Sequence, residues 1–379
     1  MYNKLKIVYI GGFEMPDKNA AAHRVLNNAK ALRKLGHEVI FLGSKMPQTM
    51  QPATIDGFKN NPIEKATNVI KSITNINNTI VLLSSINDID IIMLYNPHAL
   101  LVLSILRYCK KRKIKLIIDV TEWYENKFSI NPKKFVRYID TELSMRYFYK
   151  KADGIIAISE MLNKYYKTIV SSTVVIPPLI DISDDFWISG KRNENAELRE
   201  FVFTGTIDTN DKDDLGIIVK SFAELRQRDK FTVSILGVTE DEFIKTYRDS
   251  SKALQILGNN INFYGRVSHK ESIDILKRAH YSILLRERTR KNMSGFPTKF
   301  VESYAAGIGI ISNDFSDIRK YFPKDKNSKL IKNFDLSTLT KEMDSLLSNP
   351  FTVPAHREQI FDYRQYLNSI DALINDVMK

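Results

Sequence analysis

Short apolar runs rich in Ile and Val alternate with segments of helical spacing along this 379-residue chain. Runs at 5–10 (L-K-I-V-Y-I), 38–43, 91–95, 114–120, 154–159 and 173–176 predict strands in the first half. Between the first two, Ala22, Val25, Leu26, Ala29, Leu32 and Leu35 recur at helical spacing over Asn19–Leu35, and Gly36 closes that helix at its C′ position. Strand, helix and strand in such quick succession make a βαβ unit, which implies a parallel sheet covered on both faces. A polar stretch at 183–199 breaks the pattern. It restarts with strands predicted at 201–205, 231–236, 261–264, 281–285 and 308–312 and helices at 214–228, 268–279 and 298–306. Ile360, Tyr363, Tyr366, Leu367, Ile370, Leu373, Ile374 and Val377 form the stripe of a last amphipathic helix over 356–379. The pattern therefore predicts two tandem doubly wound α/β domains, 1–185 and 200–355. Ligands are expected in the cleft between them, where carboxyl ends of strands face one another.

Composition narrows the class. With 43% hydrophobic and 26% charged residues the chain is globular, and its one cysteine, Cys109, excludes a disulfide framework or a cysteine zinc cluster. The opening strand runs straight into Gly11-Gly12, too early for a secretory signal. The longest near-continuous apolar stretch, Ala99–Leu106, is broken at Ser104 and falls far short of the ~20 residues of a membrane span. A cytoplasmic protein is expected. The formal net charge is +12, and residues 1–185 hold 26 Lys and Arg against 17 Asp and Glu, whereas the remainder holds 30 against 27. An acidic partner of the first half (nucleic acid, an anionic membrane surface or a phosphorylated substrate) and a merely solvated surface both fit that imbalance.

Candidate chemistry gathers at strand ends. Gly11-Gly12 follows the first strand and permits close backbone approach to a ligand, with Gly12 at the turn, although the G-x-G-x-x-G fingerprint is absent. His23 and Arg24, in the first helical turn, read as surface residues. Gly295-Phe296-Pro297-Thr298-Lys299 opens a short helix ending at Gly307. Its amide groups and dipole suit a phosphate, and Lys299 adds a full charge. Glu302 lies one turn on and can accept from the vicinal hydroxyls of a ribose. The alternative is an ordinary helix with an i,i+3 ion pair. Gly205 and Thr206 end the first strand of the second domain, and Lys212 in the following loop can approach the same phosphates. Gly237, Gly265, Arg266 and Val267 sit at strand ends where backbone can flank a base, and Arg286 leads a basic loop with Arg288, Arg290 and Lys291. Asp119 and Glu122, beside Trp123 at a strand end, read equally as functional acids or loop caps. Asp88-Ile89-Asp90 precedes a strand and reads as a loop, and no His, Cys and Asp cluster has metal spacing.

With those residues in hand, the chain resembles the retaining, GT-B-fold glycosyltransferases of the family 4 type, and most of all the bacterial branch that builds surface polysaccharides. The resemblance is carried by Gly11-Gly12, Leu35-Gly36-His37-Glu38-Val39, Ala152-Asp153-Gly154-Ile155-Ile156-Ala157-Ile158-Ser159-Glu160, Ile176-Pro177-Pro178, Thr204-Gly205-Thr206 and Gly295-Phe296-Pro297-Thr298-Lys299-Phe300-Val301-Glu302-Ser303. It implies a GT-B architecture whose C-terminal helix crosses back to the first domain. It also implies a nucleotide-sugar donor held by the second domain and an acceptor held by the first. Three positions depart from the family pattern. Thr206 stands where the family has an Arg, with Lys212 at its paired Lys; Ser294 stands where the first of two glutamates belongs, Glu302 being the second; and Glu122 or Asp119 takes the place of a His.

The expectation is a metal-independent, hexosyltransferase-type enzyme without cofactor. It would move sugar from a UDP- or GDP-sugar to a glycan or lipid-linked hydroxyl, in capsule or lipopolysaccharide synthesis. Lys299, Lys212 and the helix start at Gly295–Thr298 would stabilise the leaving diphosphate, and Glu122 or Asp119 would orient a sugar. Lys110–Lys113, Lys133, Lys134 and Arg137 suit contact with the inner face of the cytoplasmic membrane, and nucleic acid is not among the expected partners. A nucleotide-sugar epimerase or hydrolase of the same fold, or a non-catalytic partner subunit, is the alternative.

Overall fold

The computed structural model describes residues 4–15, 19–43, 76–124, 131–188, 197–207, 213–332, 334–352 and 359–379. The chain divides into two compact units. The first comprises Met1–Asp181, Met293–Phe296 and Phe361–Lys379, and the second Ile182–Asn292 and Pro297–Ile360.

In the first unit β1 (Lys6–Gly11), β2 (Glu38–Leu42), β3 (Ile91–Tyr95), β4 (Lys115–Val120), β5 (Gly154–Ala157) and β6 (Ser172–Val175) form one parallel sheet in the order β2-β1-β3-β4-β5-β6. Every residue of β3 is buried, because helices cover both faces and leave no polar side to the strand. Between β1 and β2 runs α1 (Ala20–Lys34). The Asn19 side chain accepts from Ala22 N at 2.8 Å and starts the helix, and Gly36 at φ +98° lets the chain leave it. After β3 comes α2 (Ala99–Arg112), and after β4 comes α3 (Pro132–Leu143). In the sequence α2 shows only as an apolar stretch.

The last helix, Leu367–Met378, belongs to this first unit. It follows a tight turn at Tyr363–Tyr366, so the expected helix begins later than residue 356, and residues 353–358 lie outside those described. Ile370, Leu373, Ile374 and Val377 share a core with Val25, Ala29 and Leu32 of α1 and with Ile7 and Tyr9 of β1. Each such burial contributes roughly 1.5–3 kcal/mol. The helix comes so close to β5 that a Cβ at Gly154 would stand 2.7 Å from Val377 Cγ2. A polar clasp aligns its start: Ile180 N donates to Phe361 O, Tyr363 N donates to Ile180 O, and Asp181 pairs with both Lys30 (2.7 Å) and Arg364 (3.0 Å).

The second unit holds β7 (Arg199–Thr204), β8 (Phe231–Leu236), β9 (Ile261–Gly265), β10 (Tyr281–Leu284), β11 (Gly309–Asn313) and β12 (Lys329–Ile331), all parallel, in the order β12-β11-β10-β7-β8-β9. Alternate residues of β7 feed opposite cores. Phe201 and Phe203 pack with the Leu215–Glu224 helix, and Val202 packs with Ile273 and Leu276 of the His269–Arg278 helix. The strand order reverses direction between β7 and β10. Such a reversal parts the connecting loops and leaves a crevice beyond the carboxyl ends of the two strands. These architectures match the two Rossmann-like halves the sequence predicts.

Candidate functional site

The crevice of the second unit collects charge. β7 runs out into Gly205, and β10 runs out into Arg286. Arg286 is fixed at its backbone, donating from N to Asn313 Oδ1 (3.0 Å) while Asn313 Nδ2 donates to Arg286 O (2.8 Å). Its guanidinium Nε then donates to Asp213 Oδ1 at 2.6 Å. The other oxygen of Asp213 accepts from Lys299 Nζ. Lys299 is the second residue of the Thr298–Ala305 helix, which starts directly after Pro297. Its ammonium also lies 5.0 Å from the Phe203 ring centroid. Two cations, one of them carried by the first turn of a helix, thus converge on one buried carboxylate at the topological switch point. Burial alone would raise the Asp213 carboxyl, but the charges of Lys299 and Arg286 outweigh it and hold the group well below the usual carboxylate range.

Glycines let backbone come this close. A Cβ at Gly205 would sit 2.5 Å from Lys299 Nζ. Gly237, just past β8, has φ +91°, and a Cβ there would run into the Gly205 carbonyl oxygen. Only glycine satisfies both conditions. Further along the helix Glu302 Oε1 meets His269 Nε2 at 3.1 Å.

The expected residues therefore separate into groups. Lys299, Arg286, Gly205 and Gly237 come together. Pro297 and Thr298 open the helix that carries Lys299, and Glu302 lies on it beside His269. Thr206 is exposed just beyond Gly205, and Lys212 falls outside the described residues. At the end of β9, Arg266 is exposed and Val267 packs on the apolar cluster of the His269–Arg278 helix. Of the basic loop, Arg288 turns to Asp314 and donates to its carbonyl at 2.7 Å.

Phe296 and Gly295 lie just before the Thr298–Ala305 helix. The segment Met293–Phe296 belongs to the first unit, where the Phe296 ring is buried 6.1 Å from that of Phe361. Ser294 in that segment is fully buried. Its hydroxyl accepts from Trp123 N at 2.8 Å, and its carbonyl accepts from the Ser159 hydroxyl. The residue standing where the family has a glutamate is thus a structural anchor here.

Asp119 requires a correction. It is completely buried at the end of β4, with Arg24 Nη2 at 2.6 Å from Oδ1 and the Tyr9 hydroxyl donating to Oδ2. Burial and the neighbouring Asp119 charge push the Tyr9 hydroxyl well above its ordinary range. Arg24 Nη1 also donates to Ile176 O (2.8 Å) and Pro177 O (3.2 Å). A carboxylate so saturated cannot orient a sugar, and Arg24 is a core cation rather than a surface residue. Glu122, two residues past β4, stays half-buried, and Gly12 lies at the equivalent end of β1. Asp90 accepts from Lys6 N at 2.7 Å in the loop before β3, as its position implies.

Sequence reasoning missed Asp213, Asn313 and His269. Asp213 had a local signal, standing next to Lys212 and before the helix cap Asp214, but nothing local names its partners.

Two family profiles match in tandem: Glycosyltransferase Family 4 over residues 21–184 and Glycosyl transferases group 1 over residues 188–365. The chain belongs to the family 4-type GT-B glycosyltransferases. Comparison with curated protein sequences finds no match. Among solved structures this glycosyltransferase is similar to sucrose-phosphate synthase from Thermosynechococcus elongatus, with a TM-score of 0.71 at 13% identity over 99% of both chains. The lipopolysaccharide outer core galactosyltransferase WaaB aligns with a TM-score of 0.63 at 14% identity, over 98% of this chain and 99% of the other. Anabaena HepE in complex with UDP-glucose aligns with a TM-score of 0.66 at 14% identity, again over 98% and 99%. At such identities these likenesses speak to fold alone.

Proposed function

We propose that this glycosyltransferase moves a sugar from a UDP- or GDP-sugar to a hydroxyl of a glycan or lipid-linked acceptor, with retention at the anomeric carbon, in the synthesis of a surface polysaccharide. The observation that carries the proposal is the convergence of Lys299 and Arg286 beside a helix start at the switch point of the second unit. A diphosphate needs cations and amide groups at that kind of place. HepE is similar in fold and binds UDP-glucose, which supports the donor class. WaaB, similar in the same way, is a galactosyltransferase of the lipopolysaccharide outer core, which supports the pathway.

In the reaction the bond from the anomeric carbon to the phosphate oxygen breaks and one from that carbon to the acceptor oxygen forms. The acceptor proton passes to the departing phosphate. Lys299, Arg286 and the amide groups of the Thr298–Ala305 helix take up the charge gathering on the leaving group. Fixed charges of this kind typically supply about 3–4 kcal/mol per donor. Glu302 accepts from ribose hydroxyls, Gly205 and Gly237 let the chain approach the nucleotide, and Glu122 orients a sugar. Lys212 adds to the phosphate site, and no metal ion takes part. A lipid-linked acceptor holds the enzyme at the inner face of the cytoplasmic membrane.

The test is a screen of UDP- and GDP-sugars with the purified chain, with and without oligosaccharide and lipid-linked acceptors. Nucleoside diphosphate release that requires acceptor, with the donor's anomeric configuration kept in the product by NMR, is the expected result. An epimerised donor, or hydrolysis indifferent to acceptor, contradicts it.

A further inference from the structure

Glu302 stands one turn beyond Lys299 on the Thr298–Ala305 helix, and side chains three apart share one side of a helix. A diphosphate on Lys299 therefore leaves the ribose of its nucleotide within reach of the Glu302 carboxylate. That carboxylate sits at the end of three rotatable bonds, and ordering them at the moment of binding weakens affinity. One contact in the structure removes much of that freedom beforehand. Oε1 meets His269 Nε2 at 3.1 Å, with the two side chains only 15% and 22% exposed. Among the described residues His269 is the one polar partner of this carboxylate. Pinning one oxygen fixes the plane of the group and so the direction of the other.

The fold, rather than Glu302, places His269. It is the first residue of the His269–Arg278 helix, which the Ser268 hydroxyl starts by accepting from Glu271 N at 3.2 Å. Ile273 and Leu276 of that helix are buried with Val202 of β7 and with Ile308, just ahead of β11. The helix of Glu302 is anchored in turn by Phe300 and Val301, both buried. Two helices fixed to one sheet thus present these side chains to each other. An ionised carboxylate only accepts, so Nε2 carries the proton of the pair and the imidazole is the donor.

We propose that His269 is a positioning residue for the donor nucleotide: it holds Glu302 so that Oε2 accepts from the ribose, and it thereby sets a preference for ribonucleotides over nucleotides that lack those hydroxyls. The proposal rests on the reading of Lys299 and Glu302 as a nucleotide site. His269 itself makes no bond to the donor. Without it the carboxylate spreads over several rotamers, and the ribose has to order it on binding.

The test is calorimetric titration of the nucleotide that the wild-type chain binds, UDP or GDP, and of its 2′,3′-dideoxy counterpart. Wild type is expected to bind the ribonucleotide at least about tenfold more tightly, as befits hydrogen bonds to a charged acceptor. Glu302→Ala should abolish that ratio. His269→Ala should lower it to about threefold or less, with the dideoxynucleotide bound as in wild type. His269→Gln, whose amide can still donate to Oε1, should restore most of it. Should His269→Ala not fold, His269→Phe, which keeps a ring but no donor, takes its place. If His269 merely ties two helices together, its loss weakens both nucleotides alike and leaves the ratio standing. A ratio lost in Glu302→Ala but kept in His269→Ala would overturn this proposal alone. A ratio that survives Glu302→Ala, or a wild type that binds neither nucleotide, would overturn the nucleotide reading of Glu302 and the proposal with it.

Discussion

Asp213 is the residue on which the phosphate site turns. It sets two cations side by side that would otherwise repel, and it is nearly completely buried in doing so. Removing one member of a buried ion pair leaves the others uncompensated. Asp213→Asn is expected to lower stability at pH 7 by about 3 kcal/mol, the low end for such changes, because Lys299 keeps some contact with water. The sign of its pH dependence follows from the depressed carboxyl. Its stabilising contribution is complete above the unfolded carboxylate value of ~3.9 and fades as pH falls toward the lower folded one. Urea unfolding at pH 7 and pH 3 checks this: the gap between wild type and Asp213→Asn should shrink in acid, and a gap that widens would refute it. Lys299, Glu302 and Arg286 could be picked out from the sequence as chemistry-bearing residues because each sits beside a glycine, a proline or a strand end. Their pairing could not be, since Asp213 lies 73 residues from Arg286 and 86 from Lys299. Local pattern does not report contacts of that span.

The same limit governs the elements. Continuous Ile and Val runs bounded by turns made the parallel strands legible, and capped, periodic segments such as 19–35 made their helices legible. α2 opens as Ala99-Leu100-Leu101-Val102-Leu103, a run with no period to separate helix from strand, and β12 has only three residues. The role of Asp119 was hidden by distance too: Arg24, on α1, is 95 residues away. Together they bind α1, β4 and the carbonyls at 176 and 177 into one element set. Asp119→Asn is therefore expected to destabilise the first unit by roughly 3–5 kcal/mol. Circular dichroism melts check it. A variant that melts like wild type but has lost turnover would restore Asp119 to a chemical role.

At the scale of the whole molecule, two parallel sheets of matching design divide the labour. The second unit carries an open switch point ringed by glycines and cations, whereas a buried arginine and carboxylate brace the strand ends of the first. The architecture was readable because both halves repeat one alternation of strand and helix. The interleaving of Met293–Phe296 into the first unit was not, since it depends on Ser294 meeting Trp123 and Ser159 from far along the chain. The claim that Lys299 receives the diphosphate of a nucleotide donor is tested most directly by calorimetric titration of UDP and of GDP into the wild-type chain and into Lys299→Ala. One of the two nucleotides should bind the wild type, and the variant, still folded by circular dichroism, should bind it about a hundredfold more weakly. Equal affinity in the two proteins would contradict the account.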